Sequence, residues 1–299
     1  MSRFEPRFFP GTKVSEWATV TQPDRTISAN PGLPASPITY TAVGDTNSGV
    51  ATYDAANGYW WLKWTDSGSF AVTGGTATGD ALVVAGGGGA CRGGGGAGGM
   101  QTTTGISLSG TYTVTIGLGG AGGASSAAQG SDGNDSVFGA TTSTGGGGGG
   151  AYSNTGTLMN GRDGGSGGGG GSTTHPNMGL EGSGVSGQGY AGQGSTVWGA
   201  DSSPIWGAGG GKSEVGAADG NQEGGDGATN DYDGTSTYYA GGGAGGHTGS
   251  GGGGQGGGGS STAYNTDNDG DVNSGGGGAG SPYGSSPSGG AGGSGIVIL

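Results

Sequence analysis

"DALVVAGGGGACRGGGGAGG", residues 80–99, runs from a strand-like apolar segment straight into glycine. Glycine loses more conformational freedom on ordering than any other residue, about 0.5–1 kcal/mol relative to alanine. The same step recurs along the chain, and 88 of the 299 residues are glycine. Such a chain is either disordered or built on a backbone arrangement that only glycine permits. Three features oppose disorder. Lysine and glutamate, abundant in disordered chains, are scarce. Aromatic residues recur throughout, and "GSFAVTG", "DALVVAG", "TYTVTIG" and "GIVIL" read as strands that bracket the glycine. Collagen fails on period, because it needs glycine strictly at every third residue, whereas residues 145–150 are all glycine.

What remains is a lattice of left-handed, polyproline-II-type helices with three residues per turn and no internal hydrogen bonds. Packed side by side, each N–H reaches a neighbouring carbonyl, and the axes come close enough that an interior Cβ would collide. Each such bond contributes about 0.5–1.5 kcal/mol net, roughly offsetting the entropy that each glycine loses. The lattice is therefore marginal without an apolar clamp, which the strands could supply. The glycine runs at 86–89, 93–96, 145–150, 167–171, 209–211, 241–243, 251–254, 256–259 and 275–278 are the expected helices. The expected fold class is all-β with a polyglycine-II bundle: short strands framing a glycine lattice, with essentially no α-helix.

Composition divides the chain. Five glycines and six of the ten prolines fall within residues 1–66, together with five basic and six acidic residues; the remainder holds three basic and fifteen acidic residues. We expect an N-terminal attachment region at 1–51 and a glycine-rich domain at 52–299. The net charge of −13 opposes nucleic-acid binding, since phosphates would be repelled. No apolar stretch is long enough for a signal peptide or a membrane span. Cys91 is the single cysteine, so there is no disulfide framework.

The motifs that could carry chemistry are sparse. GxGxxG arises by chance at this glycine content. "WGAGGGKS" (206–213) lacks the first glycine of a phosphate loop and a following helix to receive phosphate. "GSDGNDSVFG" (130–139) is a single imperfect copy of a calcium nonapeptide and reads as a turn that returns Val137 and Phe138 to the clamp. Asn265, Asp267 and Asp269 followed by Gly270 match the start of an EF-hand loop, but Gly276 stands where the bidentate glutamate belongs. A weak Ca²⁺ site is the only cofactor expectation. His175 and His247 are the only histidines, and nothing marks a nucleophile, so no enzymatic activity is expected.

"SGSFAVTGGTATGDALVVAGGGGA", "TYTVTIGLGGAGG", "GSDGNDSVFG", "STYYAGGGAGG" and "GGAGGSGIVIL" together resemble the glycine-rich domain of bacteriophage tail-fibre proteins. The resemblance spans about residues 51–299. Similar glycine-rich bodies form tip adhesins of some large tailed phages, in which polyglycine-II helices stack into a sandwich and loops at one end contact the host receptor. The resemblance implies a virion protein of the tail fibre or tail tip. Its implied partners are a host cell-surface glycan or outer-membrane protein and other fibre or tail proteins. It would act as a homotrimer or as a cap on a trimeric fibre, without membrane insertion. A structural or decoration protein of the virion and an ice-binding protein are the other readings.

On an adhesin, the polar loops with aromatic rings are the recognition candidates, because rings give contact area at low entropy cost. These are 152–160 (Tyr152, Leu158, Met159), 174–178 (His175, Met178), 196–205 (Trp198, Asp201, Ile205), 228–234 (Tyr232) and 262–273 (Tyr264). The alternative for each ring is that it folds back to cap the lattice. "YDAANGYWWLKW" (53–64) predicts a hairpin turning at Asn57–Gly58, with some of its tryptophans packed inward. Phe4, Phe8 and Phe9, set among prolines, suggest a peptide that docks on a neighbouring virion protein, with a clipped or disordered tail as the rival reading.

Overall fold

A computed structural model describes residues 36–125, 127–153, 156–173, 178–198, 203–217, 222–246, 251–261, 268–282 and 289–299. Its strands are β1 (Ile38–Asp45), β2 (Thr52–Asp54), β3 (Tyr59–Trp61), β4 (Lys63–Gly75), β5 (Ala77–Val84), β6 (Met100–Leu108), β7 (Thr111–Thr115), β8 (Ser136–Phe138) and β9 (Thr141–Ser143). They continue with β10 (Thr196–Trp198), β11 (Ser203–Ile205), β12 (Ala228–Asn230), β13 (Thr237–Tyr239) and β14 (Ile296–Ile298). The four-residue helix α1 (Gly156–Met159) is the one described α-helix. The class is all-β, as the sequence predicts.

Eight strands form one antiparallel sheet in the order β6-β5-β14-β4-β7-β8-β9, with β1 on β4. The two ends of this path approach each other: the Thr103 and Thr141 hydroxyls are 2.8 Å apart, and the Gln101 amide donates to the Thr142 carbonyl. The sheet thus nearly closes into a barrel. β1 comes from the segment read as an attachment region, yet it pairs along most of β4. The compositional boundary at residue 51 falls between β1 and β2. Phe4, Phe8 and Phe9 lie outside the described residues.

The apolar runs of β5 and β14 are continuous because both of their faces are buried. One face sends Ala81, Val83 and Val297 into the barrel with Trp64, Phe70, Val114 and Phe138. The other sends Leu82, Val84, Ile296 and Ile298 against Ala97, Met100, Tyr239 and Ala240. This second cluster clamps the glycine body onto the sheet. Phe138 reaches the barrel core as the sequence suggests, while Val137 stays half-buried.

The glycine body is the expected lattice, and its hydrogen bonds repeat every third residue. In the central segment 93–99, Gly93, Gly96 and Gly99 donate to Gly150, Gly147 and Thr144; Gly94 and Ala97 donate to Gly207 and Gly210; Gly95 and Gly98 donate to Gly278 and Gly275. Its carbonyls are used the same way: Gly94 and Ala97 accept from Gly169 and Ser166, Gly95 from Gly243, and Gly96 and Gly99 from Gly88 and Ala85. One extended helix is thereby bonded on all sides, to segments 85–90, 144–150, 166–169, 207–210, 243 and 275–278. At the interior glycines no side chain fits, and the one side chain in this helix, Ala97, is a methyl group. A Cβ built on Gly95 would lie far inside contact distance of the Gly88 carbonyl, and one on Gly277 would strike Gly95.

The opening stretch is explained by continuity. β5 passes into the helix at 85–90, β7 into 117–123 and β9 into 145–150, while helices at 93–99, 130–134 and 289–295 lead into β6, β8 and β14. Strand and polyproline-II helix have similar rise per residue, so sheet register carries over into lattice register. Two local expectations change. The run 256–259 begins in a turn, with Gly256 and Gly257 at φ of 98° and 88°. The segment 130–134 is a lattice helix and not a turn: Asn134 and Ser131 accept from Gly86 and Gly89.

Two stability experiments follow from this architecture. Gly95→Ala should lower stability by about 3 kcal/mol or more, at the upper end of overpacking costs, because the obstacle is backbone. Gly156→Ala, with nothing within 4 Å of the added Cβ, should leave the melting temperature unchanged or raise it slightly. The Tyr40 and Tyr239 phenols are each pushed up to about 12, from 10.0, mainly by burial. The fold favours their neutral forms, so this stabilisation is complete below pH 10 and lost as pH rises from 10 to about 12. Alkaline unfolding should coincide with tyrosinate absorbance across that window.

Candidate functional site

The lattice has two ends. One carries the barrel. At the other, Arg92 connects three chain segments. Its Nη1 donates to the carbonyls of Ser281 (2.9 Å) and Pro282. Its guanidinium lies 4.9 Å from the Trp206 ring centroid and 5.9 Å from that of Tyr152. Those two rings meet edge to face at 6.3 Å. The Trp206 indole donates to the Ser172 carbonyl at 2.9 Å. A glycine lattice ends in exposed carbonyls and N–H groups with no apolar cover, and this cluster provides both partners and cover.

The sequence-predicted recognition residues divide around this cap. Tyr152 is half-buried within it. Met159 and Ile205, proposed as exposed contacts, are 6% and 8% exposed and so belong to the packed end of the lattice; the nearby glycines have no side chains to cover the end, so apolar side chains turn inward. Leu158 is half-buried in α1, its carbonyl accepting from Ala151 at 2.8 Å. The Gln129 amide holds the same helix through the Thr157 and Asn160 carbonyls, at 3.1 and 2.8 Å. Met178 is half-buried and bridges Ser172 across residues 174–177. Trp198 pairs with Ser203 in the β10–β11 hairpin. His175, Asp201 and Tyr264 lie outside the described residues, as does His247.

Loop 228–234 is at the opposite end. The β12–β13 hairpin turns against the barrel, where the Tyr59 hydroxyl donates to the Asp231 carbonyl (2.9 Å) and Lys63 pairs with Asp233 at 2.6 Å. Tyr232 packs on the second apolar cluster. Burial, then Asp80 and Asp231, push its phenol up. The β2–β3 hairpin exists as predicted, but its turn has four residues: Asp54 pairs with Tyr59, and Gly58 at φ 78° donates to the Asp54 carbonyl. Asp54 also accepts from Ala56 and Asn57, which holds its carboxyl below the usual range.

Of the metal candidates, Asn265 and Asp267 lie outside the described residues. Asp269 uses Oδ1 to accept the Ala291 N–H at 2.7 Å, pinning a neighbouring lattice helix. Among the described residues there is no cluster of three or more His, Cys, Asp or Glu placed to hold a metal. Lys212, in the near-phosphate-loop stretch, donates to the Gly187 carbonyl at 2.6 Å. The Cys91 thiol is buried against the Ser125 carbonyl at 3.4 Å, and burial pushes its pKa up. Among the described residues no helix is long and apolar enough to cross a membrane.

The sequence reading missed Arg92 as the organiser of this end. A signal was available: it is the only Lys or Arg between residues 64 and 161, placed where two glycine runs must turn. Trp206 carried a weaker signal, adjoining its glycine run directly. A family model described as a glycine-rich domain matches residues 65–299. No curated protein matches the chain.

Replacing Arg92 by methionine keeps the aliphatic bulk and removes the donors. Two buried carbonyls lose their charged partner, so we expect a loss of about 2–3 kcal/mol, read as a lower denaturant midpoint. The tryptophan fluorescence of the folded protein should also change, because Trp206 loses the facing cation.

Proposed function

The chain belongs to the glycine-rich domain family, and from that premise we propose that it is a tail-fibre or tail-tip protein of a phage virion that binds the host cell surface. The observation that carries this reading is the division of labour between the two ends of the lattice. The barrel occupies one end. The polar segments of most mixed composition have their flanks at the other: residues flanking 152–160, 174–178, 196–205 and 262–267 all belong to the end capped by Arg92. A body whose interior consists of main chain has chemical variety only there, and binding specificity needs chemical variety.

A host glycan or outer-membrane protein is the receptor class this reading calls for, with other fibre or tail proteins as neighbours at the head. The inward turn of Tyr152, Met159 and Ile205 favours a second reading, a structural or decoration component, because side chains spent on capping are withdrawn from recognition. The two separate experimentally. Residues 174–177 and 199–202 can be replaced by Ser-Gly without touching Arg92, Tyr152, Met159 or Trp206. The adhesin reading expects particles that assemble normally and adsorb to host cells about tenfold less or worse, equivalent to about 1.4 kcal/mol of binding. Unchanged adsorption would leave the decoration reading in its place.

A further inference from the structure

The barrel mouth, opposite the lattice, contains a cavity of about 530 Å³, within the size range of small-molecule sites. Its floor includes Tyr40, Phe70, Leu108 and Leu299, and its walls are the β2–β3 hairpin and Tyr232. The hairpin is held over the mouth by the Tyr59–Asp231 hydrogen bond, and the ammonium of Lys63 in β4, paired with Asp233, lies 5.4 Å from the Trp61 ring centroid. Trp60 is braced by Tyr53, with ring centroids 5.0 Å apart. The space is therefore a formed cavity with fixed walls.

Two further observations define what it would accept. Tyr40, only 5% exposed, accepts the Ala51 N–H through its hydroxyl oxygen at 2.7 Å. Among the described residues nothing accepts the hydroxyl proton in return, so a buried donor on the cavity floor is left for a ligand. A phenol is a donor as well as an acceptor, and an unused buried donor is costly. Among the described residues the charge at the mouth is negative: Asp80 lines it, Asp54, Asp231 and Asp233 belong to the two hairpins beside it, and the nearby Lys63 is already paired. An anionic ligand would be repelled. A ligand with an apolar face, several hydroxyls and no negative charge fits the rings, the Tyr40 donor and the Asp80 acceptor together.

We propose that the barrel mouth binds a neutral hexose or N-acetylhexosamine unit of a glycan, with the sugar's apolar face against Trp60 and a hydroxyl accepting from Tyr40. This site lies at the end remote from the Arg92 cap and does not depend on the tail-fibre reading.

The test uses the full chain and the methyl glycosides of glucose, galactose and N-acetylglucosamine at millimolar concentration. Binding is followed by ligand-observed saturation-transfer NMR and by tryptophan fluorescence. The expected result is saturable binding of at least one of them, weakened about tenfold by Tyr40→Phe and by Trp60→Ala in proteins that retain their cooperative melting transition. Binding should be unaffected when residues 174–177 and 199–202 are replaced by Ser-Gly, which separates this site from the distal one. No saturable binding of any of the three sugars overturns the proposal. So does binding that survives both substitutions, or a preference for a sialylated glycan. Quenching of the same fluorescence by a proline-rich peptide such as residues 4–11, with no response to sugars, would show a peptide site instead.

Discussion

The approach of one backbone to another, too close for any Cβ between them, is the constraint on which this molecule depends. It explains why interior positions such as Gly88, Gly95 and Gly277 carry no side chain: each neighbouring carbonyl occupies the place where a Cβ would go. It also explains why the lattice cannot be stable alone. A conventional core gains from burying apolar area, and an interior of main chain has little to bury. The apolar work is transferred to the sheet, where Leu82, Val84, Ile296 and Ile298 clamp Ala97 and Met100. Because strands run directly into lattice helices, fixing the register of β5, β6 and β14 also fixes the offset of the segments at 85–90, 93–99 and 289–295.

The parts legible in the sequence were those dictated by this constraint. Pure glycine runs had one explanation, and unbroken apolar strands such as "DALVVAG" had a second, burial on both faces. Outer lattice helices were harder to read because only part of their circumference is enclosed. In 117–123, residues 117, 120 and 123 are buried glycines while Leu118 and Ala121 face solvent. The three-residue repeat is present in "GLGGAGG", but it allows any side chain at the outward position. The same tolerance concealed 130–134, where Ser131 and Asn134 face out, and a lattice helix could be mistaken for a calcium-like turn.

The binding candidates were less legible, because an aromatic ring near a glycine run has two possible uses and composition does not distinguish them. Tyr152 and Trp206 serve the cap, while Tyr53, Trp60 and Tyr232 line the barrel mouth. Which use applies depends on the end of the lattice to which each segment returns. That is a matter of parity: successive helices run up and down, so one additional traverse moves a loop from one end to the other. Sequence spacing alone does not count traverses when outer helices go unrecognised, so it does not assign 228–234 to the barrel end.

The cap also limits where variation can occur. Lattice stability comes from main-chain bonds that are nearly equivalent from glycine to glycine, so a change beyond the last hydrogen-bonded residue barely reaches the interior. A change at Arg92, Trp206 or Ser281 does reach it, because these groups close the ends of several helices at once. Side chains outside the hydrogen-bonded lattice can therefore change with little cost in stability, while Arg92, Trp206 and Ser281 hold the ends of the described helices together. This separation follows from a lattice interior built mostly of glycine, whose side chains elsewhere are small ones such as Ala97, Ser166 and Ala244.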